Sequence, residues 1–480
     1  MEMSRRSFLR KGVALATAGG MTSSIFADSN KKPQKKNPNI LWIMTDQQFA
    51  GAMSCAGCPD LSTPAMDQLA REGVLFEKAY CANPICVPSR CSMITGRLPH
   101  DTGVTFNRER FDLRGESIGR VLKNHGYRTG YFGKWHITKP ISDSDWHGFD
   151  TIRETKKSGP LNDSNVAPSC VEYLRHTDDK PFFLVASFQN PHDICEYARI
   201  LEGMDDRLWN GEIGDIPKIS ECPVLPNNHE ISNNEPSVIR EHQRASPRTY
   251  PVTGWGEAQW RAYRWAYYRM IEMVDREILK ILQALDTEGK KNETIIIFTS
   301  DHGDGAGAHK WNQKTLFYEE SARVPLVICD PLNGLKGGVN KRVLVNTGID
   351  LFATLCDYGG VSNRLDSTGI SLRSVVEGRI SVAERSFIVS QNDLHRRYGE
   401  SGGIFGRMLR SQQHKYIVYS EGDDPEQLFN LEDDPGEMRN LATCEEHADV
   451  LQVHREALAS WLKANGDSFI TRTGSDAIYA

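Results

Sequence analysis

Three apolar segments of the sequence end in side chains that can ligate a metal ion or transfer a proton. Each segment has the continuous apolar character of a buried strand in a parallel sheet. The residues that follow these segments are Asp46, His192, Asp301 and His302. Because ligands bind at the carboxyl ends of the strands in such sheets, we expect these side chains to form one site. Carboxylate oxygens are preferred by calcium and magnesium, whereas a zinc site would more often contain several histidines.

Cationic and titratable side chains occur together at two places. The turn GKWH contains Lys134 and His136, and His192 in NPHD with Lys314 in WNQK supplies the same pair of groups again. A single lysine or histidine is usually a surface group or a hydrogen-bonded core residue. Two lysines, several histidines, an arginine and a divalent cation together form a site for a polyanionic group such as sulfate or phosphate.

The elements that carry these residues alternate between strands and helices. Helical patterns cover 63–73, 116–127 and 258–286. The alternation predicts an α/β fold in which a large, mixed but mostly parallel sheet lies between layers of helices. A smaller C-terminal antiparallel sheet and a terminal helix are predicted beyond it. The segment from 194 to 255 has no strong helix or strand period, and long irregular loops of this kind often shape a binding pocket.

Composition and pattern divide the chain into four parts. We predict an export signal at 1–27, a linker at 28–37, a catalytic domain at 38–375 and a C-terminal subdomain at 376–480. The first part has paired arginines, a short apolar stretch and small residues up to Ala27, which is typical of a twin-arginine signal. Its apolar stretch is too short to span a bilayer, so we expect a periplasmic or secreted protein without a membrane span.

Charge and cysteine content narrow the class of protein further. The chain has 57 basic and 63 acidic residues, a net charge of -6, and no strongly basic stretch after the signal, which argues against nucleic-acid binding. Its eleven cysteines would favour disulfides in an exported protein, but the odd number leaves at least one unpaired. We expect several of them to be buried thiols and predict no pairing.

Several motifs resemble those of the type I sulfatases of the alkaline phosphatase superfamily. CVPSRCSMITGR (86–97) resembles the first signature of that family, and GYRTGYFGKWH (126–136) resembles the second. The segments TSDHGD, YEESARVPLVI and PEQLFNLEDDPGEMRNLA also match, in order, so that the resemblance runs from about residue 38 to 442. It implies an enzyme that removes sulfate from a sulfated, polysaccharide-derived sugar.

The resemblance also implies a modified nucleophile. Cys86 would be oxidised to formylglycine by a maturation enzyme that reads Pro88 and Arg90, and Arg90 would help to hold the hydrated aldehyde. One oxygen of this geminal diol would attack sulfur. Because twin-arginine signals suit proteins that fold before export, the conversion is expected in the cytoplasm. Cys91 would remain an ordinary thiol.

Roles for the surrounding side chains follow from the same resemblance. Lys134 and Lys314 would neutralise the sulfonyl oxygens, and His192 or Lys314 would protonate the departing alcohol oxygen. His136 would deprotonate the second diol hydroxyl, which then expels sulfate and restores the aldehyde. These assignments make residues 86, 90, 134, 136, 192 and 314 the expected catalytic set.

One calcium ion is implied, with Asp46, Gln47, Asp301, His302 and residue 86 as its ligands. Gln47 stands where many members of the family have a second aspartate, and His302 where some have asparagine. An amide carbonyl can still ligate calcium. A set with Gln and His also resembles formylglycine-dependent phosphodiesterases and phosphonate monoester hydrolases, some of which use a transition metal, and this is the alternative function.

A binding module without activity is disfavoured, because every catalytic position has a chemically competent residue.

His395, Arg396 and Arg397 have two open interpretations. They either meet an anionic sugar at the pocket rim or form a solvated basic turn.

Overall fold

A computed structural model describes most of the chain after the linker. The described residues are 37–107, 113–155, 162–177, 179–361, 367–379, 385–394 and 403–469. The predicted export signal and the rim residues His395, Arg396 and Arg397 lie outside them.

The strands of this part of the chain are mostly short and buried. In chain order they are β1 (Asn39–Asp46), β2 (Val74–Phe76), β3 (Ala79–Tyr80), β4 (Arg128–Gly133), β5 (Thr151–Glu154), β6 (Phe182–Pro191), β7 (Thr294–Ser300), β8 (Leu326–Cys329), β9 (Gly338–Asn340), β10 (Val345–Asn346), β11 (Phe387–Leu394), β12 (Ile404–Ser411), β13 (His414–Tyr419) and β14 (Glu426–Asn430).

The helices range from single turns to one of 31 residues. In chain order they are α1 (Pro64–Glu72), α2 (Cys86–Thr95), α3 (Pro99–Thr102), α4 (Ile118–Asn124), α5 (Ser144–His147), α6 (Val166–Leu174), α7 (Ile194–Leu201), α8 (Ser237–Ala245), α9 (Glu257–Thr287), α10 (Glu319–Ala322), α11 (Thr347–Tyr358), α12 (Arg373–Val376) and α13 (Ala448–Asn465). None of the helices so described is long and apolar enough to cross a membrane.

The central sheet has the strand order β5-β4-β6-β1-β7-β8-β2-β9. The neighbouring strands β5, β4, β6, β1 and β7 run parallel to one another, whereas β8 is antiparallel to both β7 and β2. The predicted mixed, mostly parallel sheet is therefore confirmed. Strands β4, β6, β1 and β7 lie side by side, so the ends predicted to carry the site are neighbours.

Helices cover both faces of this sheet. Successive side chains of a strand point to opposite faces. Accordingly, Leu41 of β1 packs in the same core as Ile271 of α9, and Trp42 packs in a second core with Leu355 of α11. Both cores are buried, which explains why β1 is a continuous apolar run rather than an alternating one.

A second sheet, β11-β12-β13-β14, is antiparallel throughout. One face packs on α13 through contacts that include Leu409 and Leu458. The other face packs on the loop after β7, where Met408 shares a core with Trp311 and Phe317. The predicted C-terminal antiparallel sheet and terminal helix are thus confirmed.

The prediction of irregular structure from 194 to 255 is wrong in two places, because α7 and α8 lie within it. Each helix has only two to three turns. The residues that α8 buries are Val238, Ile239 and His242, too few to establish a helical period over the window that such a prediction requires.

Candidate active site

The predicted site residues meet at the carboxyl ends of four adjacent parallel strands. In the sheet, Thr45 of β1 is the register partner of Ser300 of β7, and Asp46 is the partner of Pro191 of β6. This pairing brings Asp46 next to Asp301 and to the turn that carries His192. Strand β4 ends at Gly133 beside β6, so the turn with Lys134 and His136 joins the same edge.

Cys86 lies at the centre of this group, as the first residue of α2. Its side chain is fully buried. Its Sγ is 2.9 Å from Lys314 Nζ, 3.1 Å from His302 Nε2 and 3.7 Å from Asp46 Oδ1. The side chains of His136 and His192 also lie near the thiol. Burial and Asp46 oppose ionisation of the thiol, but neighbouring cations outweigh them, and the pKa of Cys86 is held well below its usual value.

Arg90 binds the two carboxylates of the site to each other. Its Nε donates to Asp301 Oδ2 at 2.7 Å and its Nη2 to Asp46 Oδ2 at 3.1 Å. Its Nη1 donates to the carbonyl oxygen of Lys134 and to the hydroxyl of Ser187, both at 2.9 Å. The arginine is one turn after Cys86 on α2, so this network fixes the start of that helix against the sheet. The hydrogen bonds of Arg90 thus hold the two carboxylates in position.

A metal ion fits the donors around Cys86. Ligand atoms of Asp46, Cys86, Asp301 and His302 all lie within 4.8 Å of one another. His302 Nδ1 is 2.9 Å from the carbonyl oxygen of Gly303, to which it donates, so Nε2 keeps its lone pair for the site. Two carboxylates, an imidazole and the side chain of residue 86 thus converge on one point.

Gln47 adds a further oxygen to this set. Its backbone is left-handed, with φ 76°, and its backbone N–H donates to Asp301 Oδ1 at 3.1 Å. Its Nε2 donates to Asp304 Oδ2 at 2.7 Å, which turns Oε1 to within 2.9 Å of Lys314 Nζ. The side-chain oxygen therefore faces the site and its NH₂ group faces away, the orientation that a metal ligand requires.

The two carboxylates have opposite pKa shifts. Burial raises the pKa of Asp46, but Lys134, whose Nζ is 2.7 Å from Oδ2, and other cations hold it well below the usual value. Burial and the adjacent charge of Asp46 raise the pKa of Asp301 to about 7, against the opposing effects of His302 and Arg90. The raised pKa of Asp301 reflects repulsion between two close buried carboxylates, which a bound cation would relieve.

Comparison with known proteins identifies the family. The Sulfatase family model matches residues 38–361, and the model of the N-sulphoglucosamine sulphohydrolase C-terminal region matches 307–464. The chain belongs to the sulfatase family. It is accordingly a sulfuric ester hydrolase, as the motifs predict.

Two curated relatives and one solved structure show how far the likeness extends. The chain is 28% identical over 470 residues to a Delta 4,5-hexuronate-2-O-sulfatase of Bacteroides thetaiotaomicron, covering 92% of this chain and 90% of that protein. It is 26% identical to an N-acetylglucosamine-6-O-sulfatase of the same organism, covering 87% and 85%. A solved 2-O GAG sulfatase superposes with a TM-score of 0.79 at 27% identity, covering 90% of this chain and 93% of the other.

His136 and His192 of the sulfatase have pKa shifts opposite to that of Lys314. Burial, Lys134 and Lys314 lower the pKa of His192 to about 3, so its imidazole is neutral in the resting site. Burial and Lys134 also lower the pKa of His136, whose backbone is left-handed at φ 46°. Burial alone would lower the pKa of Lys314, but its attraction to Cys86 and other anionic groups outweighs burial and raises that pKa.

A cavity of about 980 Å³ leads from solvent to Lys134, His136, His192 and Lys314. As predicted, the segment from 194 to 255 supplies part of its wall, through residues such as Arg199 and Arg248. This volume exceeds that of a sulfate group several-fold, so the cavity also has room for the molecule that carries it.

Several residues of the site were missed in the sequence. Asp304 orients Gln47, and Ser187 holds both Arg90 and the backbone of Lys134. Asn107 accepts a hydrogen bond from Val87 N at 2.9 Å and so fixes the first turn of α2. Asp304 follows Asp301 by three residues, and its place in the same strand-end cluster was a usable signal.

The cysteines of the sulfatase are all free thiols, as several were expected to be. Cys91 is buried and burial raises its pKa to about 12, which agrees with the prediction of an inert thiol. The contrast with Cys86, one turn and a half earlier on the same helix, comes entirely from the charged groups around the latter.

Proposed function

We propose that this sulfatase removes sulfate from a sulfated carbohydrate, with formylglycine at position 86 and one bound calcium ion. The observation that carries the proposal is the placement of Cys86, where two lysines, three histidines and two carboxylates converge on one buried atom. The named activities of the two curated relatives, both carbohydrate sulfatases, support the class of substrate.

The donor set supports calcium as the ion. Asp46 and Asp301 provide carboxylates, Gln47 an amide oxygen, His302 a nitrogen and residue 86 a further donor. When bound, calcium supplies a fixed positive charge that lowers the pKa of an oxygen ligand and attracts the sulfate oxygens. Formylglycine supplies, once hydrated, an oxygen nucleophile in place of the thiol.

The lysines bind the anionic group of the substrate. Lys134 is anchored on Asp46, and Lys314 points at residue 86 from the opposite wall, with Nζ 2.9 Å from both Cys86 Sγ and Gln47 Oε1. Ammonium groups in a water-poor site stabilise charge that develops on the sulfonyl oxygens. Neither side chain has to reorganise, because each is already held by a buried partner.

Proton transfer is assigned to the residues that surround position 86. Either Lys314 or His192 protonates the leaving alcohol, because both side chains line the cavity beside residue 86. His136 lines the same cavity, and burial and Lys134 lower the pKa of its imidazole, which favours the neutral form that a general base for the second hydroxyl requires.

Export and maturation are part of the proposal. The first 27 residues direct the protein to the periplasm or the medium, after a formylglycine-generating enzyme has acted on residue 86 in the cytoplasm. Residues 86–95 form a fully buried helix in the folded chain, which supports conversion before folding is complete.

A paired-substrate assay tests the function. The purified enzyme should hydrolyse an aryl sulfate much faster than the matched aryl phosphodiester, and a panel of defined sulfated oligosaccharides should contain a better substrate than either. A wide preference for the phosphodiester would instead support the phosphonate and phosphodiester hydrolase alternative. Peptide mass spectrometry that finds unmodified cysteine at position 86 in fully active protein would refute the formylglycine assignment.

A further inference from the structure

A second group of ligating side chains, two of them buried and one partly buried, lies apart from the catalytic residues. It consists of His309, Glu320 and Glu437, whose ligand atoms all lie within 4.8 Å of one another. His309 is in the loop between β7 and Lys314, Glu320 is on α10, and Glu437 is in the turn after β14. The group therefore joins the loop that positions Lys314 to the C-terminal antiparallel sheet.

His309 is the member whose surroundings require a ligand. Its side chain is fully buried, and neither ring nitrogen has a hydrogen-bond partner among the described residues. A buried polar atom without a partner destabilises the folded state, so such atoms are rare in folded proteins. Burial, Arg240 and Lys415 lower the pKa of the imidazole to about 3, so the ring is neutral and has one nitrogen lone pair to donate.

The ring of His309 is held rigidly in this position. It stacks on Tyr318 with 3.8 Å between the ring centroids and 12° between the planes. The backbone N–H donates to the carbonyl oxygen of Asn228 at 2.7 Å, and the backbone carbonyl accepts from Arg240 at 2.6 Å. The backbone is left-handed, at φ 53°, a conformation that is uncommon for histidine. The fold thus fixes the imidazole where no described side chain satisfies it.

The two carboxylates of the group are incompletely compensated. Glu320 Oε1 accepts from Asn228 Nδ2 at 2.9 Å, while its Oε2 is buried without a hydrogen-bond partner among the described residues. Glu437 Oε1 lies 2.7 Å from Lys415 Nζ, and Oε2 accepts from the backbone N–H of Glu319 at 2.6 Å. Lys415 is shared with Glu319, also at 2.7 Å, so it does not balance Glu437 alone.

We propose that His309, Glu320 and Glu437 bind a divalent transition-metal ion, with Zn²⁺ as the reference species. One imidazole and two carboxylates are a donor set used by zinc and related ions. Ligand atoms of a tetrahedral site lie about 3.3 Å apart for bonds of about 2.0 Å, and those of His309, Glu320 and Glu437 all lie within 4.8 Å of one another.

The ion has a structural role. His309 and Glu437 are buried and Glu320 is partly buried, and the lining of the active-site cavity does not include any of the three. Because the three ligands come from three separate segments, the ion links the loop before Lys314 to the turn after β14. The proposal is independent of formylglycine chemistry and of the calcium site.

The competing explanation for the same geometry is a proton. Burial raises the pKa of Glu320, and burial with the charge of Glu319 raises that of Glu437 to about 7. A protonated carboxyl group would donate to His309 and need no metal. Metal content therefore decides between the two, whereas activity alone would not.

The test is elemental analysis of the full-length enzyme, purified without chelator and then dialysed against metal-free buffer. Wild type should retain about one equivalent of zinc or a related transition metal, in addition to calcium. His309→Gln and Glu320→Gln should lose the transition metal, by roughly tenfold or more, and retain calcium. Asp46→Ala should show the reverse pattern, with calcium lost and the transition metal retained.

Glu432→Gln is the matched control, since Glu432 is exposed in the same turn as Glu437 and the charge change is identical. It should keep the full metal content. A second measurement covers variants that fail to fold: Co²⁺ added to chelator-treated wild type should give visible absorption bands that one equivalent of Zn²⁺ removes. Wild type without bound transition metal and without these bands would overturn the proposal and leave the protonated carboxyl as the explanation.

Discussion

Asp304→Asn tests whether Gln47 is a metal ligand, at a residue that does not line the substrate cavity. Asp304 is buried; its Oδ2 accepts from Gln47 Nε2 at 2.7 Å, and its Oδ1 accepts from the backbone N–H of Ala306 at 2.7 Å and from the Tyr263 hydroxyl at 3.0 Å. Asparagine keeps the bonds from Ala306 and Tyr263 on its oxygen when its NH₂ group replaces Oδ2, where it opposes the NH₂ group of Gln47. The conflict is removed by rotating the Gln47 amide, which turns Nε2 toward Lys314.

The size of the effect follows from what this rotation exchanges. The metal site loses a neutral oxygen donor, and Lys314 loses an acceptor at 2.9 Å and gains an opposing donor. A hydrogen bond to a charged group contributes about 1.5–3 kcal/mol, and changes to residues that orient metal ligands cost about 10- to 100-fold in affinity. We expect the calcium dissociation constant to rise by about 10- to 100-fold, equivalent to about 1.4–2.8 kcal/mol.

The assay is calorimetric titration of the chelator-treated enzyme with calcium, paired with kcat at saturating calcium. The double variant Asp304→Asn/Gln47→Glu provides the rescue. The carboxylate introduced at position 47 would accept from the new asparagine and still present an oxygen to the ion and to Lys314, while the total charge equals that of wild type. The double variant should regain most of the lost affinity.

Two results would refute this reasoning. If Asp304→Asn binds calcium within about twofold of wild type, Gln47 is not a ligand, or its amide is oriented by other contacts. If the double variant is as weak as the single one, the loss came from packing around Tyr263. Peptide mass spectrometry at residue 86 and the melting temperature control for failed maturation and failed folding.

Three further predictions concern single residues. Cys86→Ala should abolish sulfate ester hydrolysis. Cys91→Ala removes an inert thiol, so its turnover should stay within about tenfold of wild type, while its melting temperature should be lower. Lys134→Ala should reduce kcat/KM for an aryl sulfate by about 10²- to 10³-fold, and equal loss on a neutral carboxylic ester would contradict its role with sulfonyl oxygens. Burial raises the pKa of Asp163 to about 7, above the unfolded value near 3.9, so the wild type loses stability as pH rises between these values. The free energy of unfolding of Asp163→Asn relative to wild type, measured by denaturant titration, should therefore increase from pH 5 to 7 by up to about 1.4 kcal/mol per pH unit, and a flat difference would show that Asp163 is already ionised at pH 5.

The sequence contains the strands that carry the site but not their order. The apolar runs at 39–45 and 292–300 identify β1 and β7 because both strands are buried on two faces. That β6 lies between β1 and β4 depends on how the crossover helices pack, and no local pattern encodes it. The convergence of the strand ends was nevertheless predictable, since all parallel strands of a sheet direct their carboxyl ends to one edge.

The functional residues divide in a similar way. Side chains that do chemistry, such as Lys134 and Asp301, have types and positions that indicate their roles. Side chains that orient them, such as Ser187 and Asp304, have no distinctive type, and their roles depend on contacts between segments far apart in the chain. Arg90 belongs to both classes. Its motif predicts a role in holding the modified residue 86, whereas only the structure shows that its hydrogen bonds join two carboxylates.

The charge balance of the site explains why it binds an anion and why charge alone does not select sulfate. Asp46 and Asp301 face three permanent cations, Arg90, Lys134 and Lys314, so the protein itself is positive by one unit before any metal is bound. A divalent metal ion raises this excess of positive charge, and an anionic group on the substrate offsets it. A sulfate ester and a phosphodiester both carry a single negative charge, so these groups interact with the excess to a similar extent. Discrimination between them must come from shape, because a phosphodiester carries a second organic substituent where a sulfate ester has a bare oxygen facing the lysines.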